Sequence, residues 1–401
     1  MERPLSMAER VELMTLLFLH GMALGSWFVP LSSVLDDAHL SSLKPWAFAA
    51  SALAAMLSPL FFGAMADRSV PPSKVLRWIS IGTAISASAS AWSIQTGCSL
   101  LVIWVLIQIQ SIFCSPSSSL TGSIVFSRLA GSQKQFGSIR ALGTIGWMAG
   151  CWTTSLLQLD ASPNSFYVSA LLWIALATFT LIVPADEPTA AENSHHLSLK
   201  ERFGFDALSL LRNHDHRVVF LTAAFVAIPF AAFYPYTPPL LRDLGLESIS
   251  AWMSLGQVSE VFALIGISAI LYRFKMKWVV LAGIGFGVAR YLLYASGITW
   301  AVLIGLSMHG VAFTFTYIST QIYLAEKIDA AWRTRAQALL SFMVGGVGNF
   351  AGYLLTGSWM SLCGGKADAN WTVFWLGLAS LVVAVFAFFG LGYRGERNEA
   401  K

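Results

Sequence analysis

Charge is what this 401-residue sequence has least of: only 11% of its residues are Asp, Glu, Lys or Arg. Soluble domains carry roughly 25%. The shortage excludes an ordinary water-facing fold, and no stretch long enough for a soluble domain is left once the apolar runs are set aside. Cysteine is scarce too. Cys98, Cys114, Cys151 and Cys363 form no CxxC pair, which argues against a metal or redox centre, and free thiols are expected. Catalytic signatures are missing: there is no HExxH and no nucleophile elbow, and "GAMADR" lacks the G-K-[ST] ending of a phosphate loop. "GIGFGVAR" contains G-x-G-x-G, but inside an apolar run, where it reads as helix packing. Neither an enzyme nor a cofactor is expected. The net charge of +4 points to no nucleic acid, because the basic residues sit at the ends of the apolar runs.

What the sequence does have is hydrophobicity: 56% of residues are hydrophobic and the mean hydropathy is +0.65. Runs of about 20 apolar residues recur, each able to cross about 30 Å of hydrocarbon. Twelve spans are expected, starting near Val11, Pro45, Val75, Leu100, Gly137, Phe166, Val218, Ile249, Lys277, Trp300, Arg335 and Trp371. The first lacks a small-residue cleavage site and reads as a retained helix. A polar, proline-bounded stretch from Pro184 to Arg217 divides the chain. The expected organisation is a six-helix bundle over 1–183, a linker over 184–217 and a second six-helix bundle over 218–401.

Lys and Arg set the orientation. Fifteen lie in the even-numbered connections and five at the termini, against three (Lys44, Arg242 and Lys366) in the odd-numbered connections. By the positive-inside rule both termini and the linker are expected in the cytoplasm. Six spans, a cytoplasmic loop and six more spans resemble the layout of the major facilitator superfamily. Gly63, Asp67 and Arg68 in "GAMADRSVPPSK" fit the start of its G-x-x-x-D-R/K signature, which implies a gating role for Asp67 and Arg68. A solvated loop is the plainer alternative.

Ionisable groups inside spans are costly and mark function by default. Glu260 follows Gln257 by three residues, so an amide and a carboxylate share one helix face. Such a face suits an uncharged, polyhydroxylated ligand, and the carboxylate is a candidate proton carrier. The alternative is a packing ion pair with Arg290 on the next span. Arg140, Thr144 and Trp147 form a second stripe, able to hydrogen-bond and to stack on a planar ring. Gly143 and Gly146 between them permit close helix approach, and a snorkelling Arg140 is the alternative. His309 and Phe313 share a face of the tenth span, where the histidine could equally be satisfied by a carbonyl; His20 reads as packing. Pro229, Pro235, Pro238 and Pro239 are expected to break the seventh span repeatedly, with Tyr234 and Tyr236 placed to close an outer gate or to anchor at the interface.

At "GSW" (Gly25 to Trp27), "IRALGTIGW" (Ile139 to Trp147), "QVSE" (Gln257 to Glu260), "ARYLLYASG" (Ala289 to Gly297) and "RTRAQ" (Arg333 to Gln337) the chain resembles the bacterial nucleoside:proton symporters. The resemblance runs over nearly the whole chain. It implies import of ribonucleosides or deoxyribonucleosides driven by the proton gradient. It places ligand contacts at Arg140, Thr144, Gln257, Glu260 and Phe313. Trp147 stands for a different aromatic of the family and His309 for a tyrosine. Two departures accompany it: the family's polar pair on the seventh span falls at Pro229 and Ala232, and an acidic residue of the tenth span is replaced by Thr314.

The expectation is therefore an all-α integral membrane protein of the bacterial inner membrane. It would be a monomer in the lipid bilayer whose partners are a nucleoside and protons. Arg140, Thr144, Trp147, Gln257, Glu260, His309 and Phe313 would bind the nucleoside, and Glu260 would carry the proton. A sugar or glycoside symporter would use the same polar face with less stacking. A receptor or scaffold on a transporter fold would tolerate Glu260→Gln.

Overall fold

The computed structural model describes residues 6–66, 70–128, 133–183, 205–365 and 369–395. Among these, twelve helical rods follow one another. In order they are Met7–Phe28 continued by Leu31–Asp37, Lys44–Ala66, Pro72–Gln95, Leu100–Cys114 continued by Ser117–Arg128, Gln133–Leu156 and Asn164–Phe179. Then come His214–Phe230 with Phe233–Asp243, Ile249–Met253 with Leu255–Arg273, Met276–Ala295, Thr299–Phe313 leading to Ser319–Lys327, Ala330–Ser341 leading to Asn349–Leu362, and Trp371–Gly392. Each begins within five residues of its expected start.

Eight helices among the described residues are long and apolar enough to cross a membrane. Asn164–Phe179 is apolar but has 16 residues. Pro72–Gln95 is diluted by Ser and Thr. Their hydroxyls donate to carbonyls of the preceding turn, Thr83 to Ile79 at 2.7 Å and Ser86 to Gly82 at 2.7 Å, which lets polar residues sit in an apolar setting. Large apolar side chains such as Leu171, Phe262 and Leu391 point outward, as hydrocarbon solvent favours.

The described residues group by contact into two compact units. One lies within Met1–His196 and Tyr234–Ser254, the other within Leu197–Phe233 and Leu255–Lys401. In the first unit the first and fifth spans meet through glycines. A Cβ added at Gly21 would strike the carbonyl of Gly143, at Gly25 that of Trp147, and at Gly146 that of Phe18. Small residues let the two backbones touch where hydrophobicity alone gives no preference for helix over lipid. Gly146→Leu is expected to lower the melting temperature in detergent by about 5 °C or more, since overpacking costs about 1–3 kcal/mol. Gly266→Ala, whose added Cβ would meet Ile270 Cδ1 at 3.7 Å, an ordinary contact, is expected to leave it unchanged.

The prolines of the seventh span act differently from the expectation. The span has one interruption, at Ala231 and Ala232; Pro229, Pro238 and Pro239 lie inside helices. At Pro239 the freed carbonyl finds another partner. Pro239 has no N–H for the Pro235 carbonyl, and that carbonyl accepts from Ser32 Oγ at 2.6 Å instead. The segment Tyr234–Ser254 is tied further into the first unit. Asp160 Oδ1 accepts from Ser250 N at 2.6 Å and from Ser155 Oγ at 2.9 Å, while Ser155 Oγ accepts from Ala251 N at 3.0 Å. Together Asp160 and Ser155 satisfy amides in the first turn of the helix Ile249–Met253.

In the second unit Gly348 packs on Ala224 and Ala227, and Gly352 on the Ile228 carbonyl, so the seventh and eleventh spans also meet closely. The eighth and tenth do so at Gly310, where a Cβ would strike Gly256 O and the backbone nitrogen of Glu260. Gly283 and Gly287 of "GIGFGVAR" pack on Thr316 and Phe230. Two π-helical turns, Thr314–Ile318 and Phe342–Gly348, interrupt the tenth and eleventh spans.

Candidate functional site

Two hollows lie among the described residues of the first unit. One, of ≈ 400 Å³, is lined by Leu17, His20, Ser118, Thr121, Gly122 and Arg140 among others. The other, of ≈ 210 Å³, is walled by Trp27, Phe28, Ser111, Cys114, Ser118 and Trp147 among others. Ser118 belongs to both, so a polar chamber adjoins an aromatic one. Arg140 is exposed, because its guanidinium borders the chamber. It lies along its own helix toward the C-terminus: a Cβ at Gly143 would come within 3.0 Å of Arg140 Nη1, so Gly143 makes room for the guanidinium.

Trp147 is half-buried, with ring centroids 6.1 Å from Phe28 and 6.1 Å from Tyr234; Phe28 and Tyr234 are 5.1 Å apart. Among the described residues its indole N–H has no hydrogen-bond partner. Thr144 is half-buried on the same helix. Tyr236 is buried near the Lys44–Asp36 ion pair, with Lys44 Nζ 5.8 Å from its ring. His20 packs edge-on against Trp173 at 5.7 Å. It also lies 2.8 Å from Ser117 Oγ, whose proton goes to Cys114 O at 2.6 Å, so His20 Nε2 is the donor. The histidine is satisfied and still borders the polar chamber.

In the second unit Gln257 is buried (5% exposed) and Glu260 half-buried on the same helix. Gly310 brings the tenth span against the backbone of Glu260, and a Cβ at Gly256 would stand 3.2 Å from the ring of His309. Gln257, Glu260 and His309 are thereby gathered at one helix crossing. Arg290 is fully buried beside them, with Nη1 2.5 Å from His309 Nδ1. Phe313 lines a recess of ≈ 210 Å³ with Phe230, Thr316, Tyr317, Gly345 and Asn349 among others, and its ring lies 5.3 Å from Tyr317. Both π-turns contribute to this recess; such turns recur at functional sites. Asp67 and Arg68 lie outside the described residues.

Sequence reasoning passed over Trp27, Phe28, Ser111 and Ser118. The signal available for them was polarity of spacing: Ser111, Ser115 and Ser118 recur at four and three residues in the fourth span, one face of a helix.

In the first unit a polar chamber thus adjoins an aromatic one, among helices of membrane length. The solved nucleoside transporter NupG shares the fold at a TM-score of 0.83 and 23% identity, over 96% of this chain and 99% of that one. The fold is that of the major facilitator superfamily, and the match to a family of symporters makes the protein a transporter. Residues 7–398 match the family described as nucleoside H+ symporter, and the chain belongs to that family. Its relatives include a putative nucleoside transporter, YegT, of Escherichia coli strain K12, 29% identical over 98% of this chain and 96% of that protein. The xanthosine permease of the same organism is 26% identical over 99% of each.

Proposed function

We propose that this protein imports nucleosides together with protons across a bacterial cytoplasmic membrane, by alternating access and with both termini in the cytoplasm. The observation that carries the reading is the pairing of the Arg140 chamber with the Trp27–Phe28–Trp147 recess, two hollows that share Ser118. A nucleoside needs hydrogen-bonding groups for its ribose and a stacking surface for its base, and these two hollows offer both. Arg140, Thr144 and Trp147 contact the ligand, as do Gln257, Glu260, His309 and Phe313; Glu260 carries the proton. Asp67 and Arg68 serve gating. The relatives support the substrate class, since they are named for nucleoside and xanthosine transport.

The test is uptake of labelled uridine and adenosine into proteoliposomes, with and without an inward proton gradient. Gradient-stimulated uptake, competed by unlabelled nucleosides and not by glycosides, is the expected result. Folded protein that takes up glycosides and no nucleoside would sink the reading.

A further inference from the structure

Arg290 is an unusual residue to find with 0% of its surface exposed. A buried guanidinium is normally paired with a carboxylate. Here it lies over the rings of Phe230 and Tyr291, each 4.5 Å away, and Tyr291 is itself tied to the Pro229 carbonyl at 2.6 Å. Its hydrogen bond is to His309 Nδ1. The other face of the problem is His309, whose ring lies parallel to Phe233 at 3.6 Å and 4°. Arg290 from the ninth span, Phe233 from the seventh and Gly256 from the eighth thus surround one imidazole. The charged or titratable groups about it are Arg290, Tyr291 beside that arginine, and Glu260 on the eighth span.

A guanidinium has five N–H donors and no acceptor. The ring nitrogen that faces it must offer a lone pair. An imidazolium has none, because both its nitrogens carry protons. We propose that Arg290 is a positioning residue, which holds His309 as a neutral imidazole protonated at Nε2. The ring then supplies one fixed donor and no mobile proton. With His309 as a ligand contact, an assignment that rests on the transport reading above, the ligand atom it meets is an acceptor: a hydroxyl oxygen, a ring nitrogen or a carbonyl oxygen. Proton movement is left to Glu260.

The experiment is nitrogen-15 magnetic resonance of the full chain in lipid bilayers, labelled at its seven histidines and assigned with His309→Gln. The expected spectrum shows a pyridine-type Nδ1 and a pyrrole-type Nε2 for His309, constant between about pH 5 and 8. In Arg290→Gln, whose amide can accept as well as donate, the fixed tautomer should be lost and the two nitrogen signals should move toward each other. The KM for nucleoside should rise about tenfold or more, with little change in maximal rate. Arg290→Lys, another cation that only donates, should restore the wild-type pattern. If Arg290→Gln does not fold, the wild-type and Arg290→Lys spectra decide the matter. A wild-type His309 that protonates in this range, or that carries its proton on Nδ1, overturns the inference. So does an Arg290→Gln protein with unchanged spectrum and KM. The spectrum is read without transport, so a protein that carries no nucleoside would refute the transport reading and leave this result standing.

Discussion

Glu260→Gln is expected to reduce gradient-driven nucleoside accumulation to the level of empty vesicles, while exchange of internal for external nucleoside persists. The argument is one of charge and shape. Glutamine keeps the length and the hydrogen-bonding capacity of the side chain, so binding survives. It cannot take up or release a proton, so the gradient no longer does work on the carrier. The residue sits where the eighth and tenth spans touch at Gly310, beside buried Gln257. Exchange needs only that the loaded carrier reorient; net uptake needs the empty carrier to return as well. A mutant that loses both activities together would place Glu260 in binding alone. A mutant that keeps both would move the proton to another group.

Trp147→Ala is expected to raise the KM for uridine and adenosine by roughly ten- to a hundredfold. Stacking of a base on an aromatic ring is worth about 1–3 kcal/mol, and each 1.4 kcal/mol is about a factor of ten. Trp147→Phe keeps a ring and should keep most of the affinity, because the recess also holds Trp27 and Phe28. The pair of variants separates nucleosides from glycosides as substrates: a carrier of sugars has no base to stack, and Trp147→Ala would change its KM little. Measured KM values for the three proteins, with each nucleoside, check the prediction.

The course of the chain was legible because the signal is strong and local. Runs of apolar residues of membrane length fix where each helix begins, and each helix starts within five residues of its expected position. The glycines of the fifth span were legible too, since Gly143 and Gly146 lie on the face that meets the first span. What escaped the sequence depends on contacts between residues far apart in it. The prolines of the seventh span promised several breaks, yet the Pro235 carbonyl finds Ser32, and no local rule brings that hydroxyl there. Arg290 was a candidate partner for Glu260; its hydrogen bond is to His309, nineteen positions away and on the next span. The Asp160 cap on Ser250 joins residues ninety positions apart. Trp27 was read only as part of a short motif and Phe28 not at all, and their place in the wall of the recess depends on how four spans come together.

The measurement that bears most directly on the account is a simultaneous record of nucleoside uptake and external pH in weakly buffered proteoliposomes, with no imposed gradient. Addition of uridine or adenosine should turn the medium alkaline as protons enter with the nucleoside, in wild type and not in Glu260→Gln. Nucleoside entry with no accompanying proton movement would contradict the account.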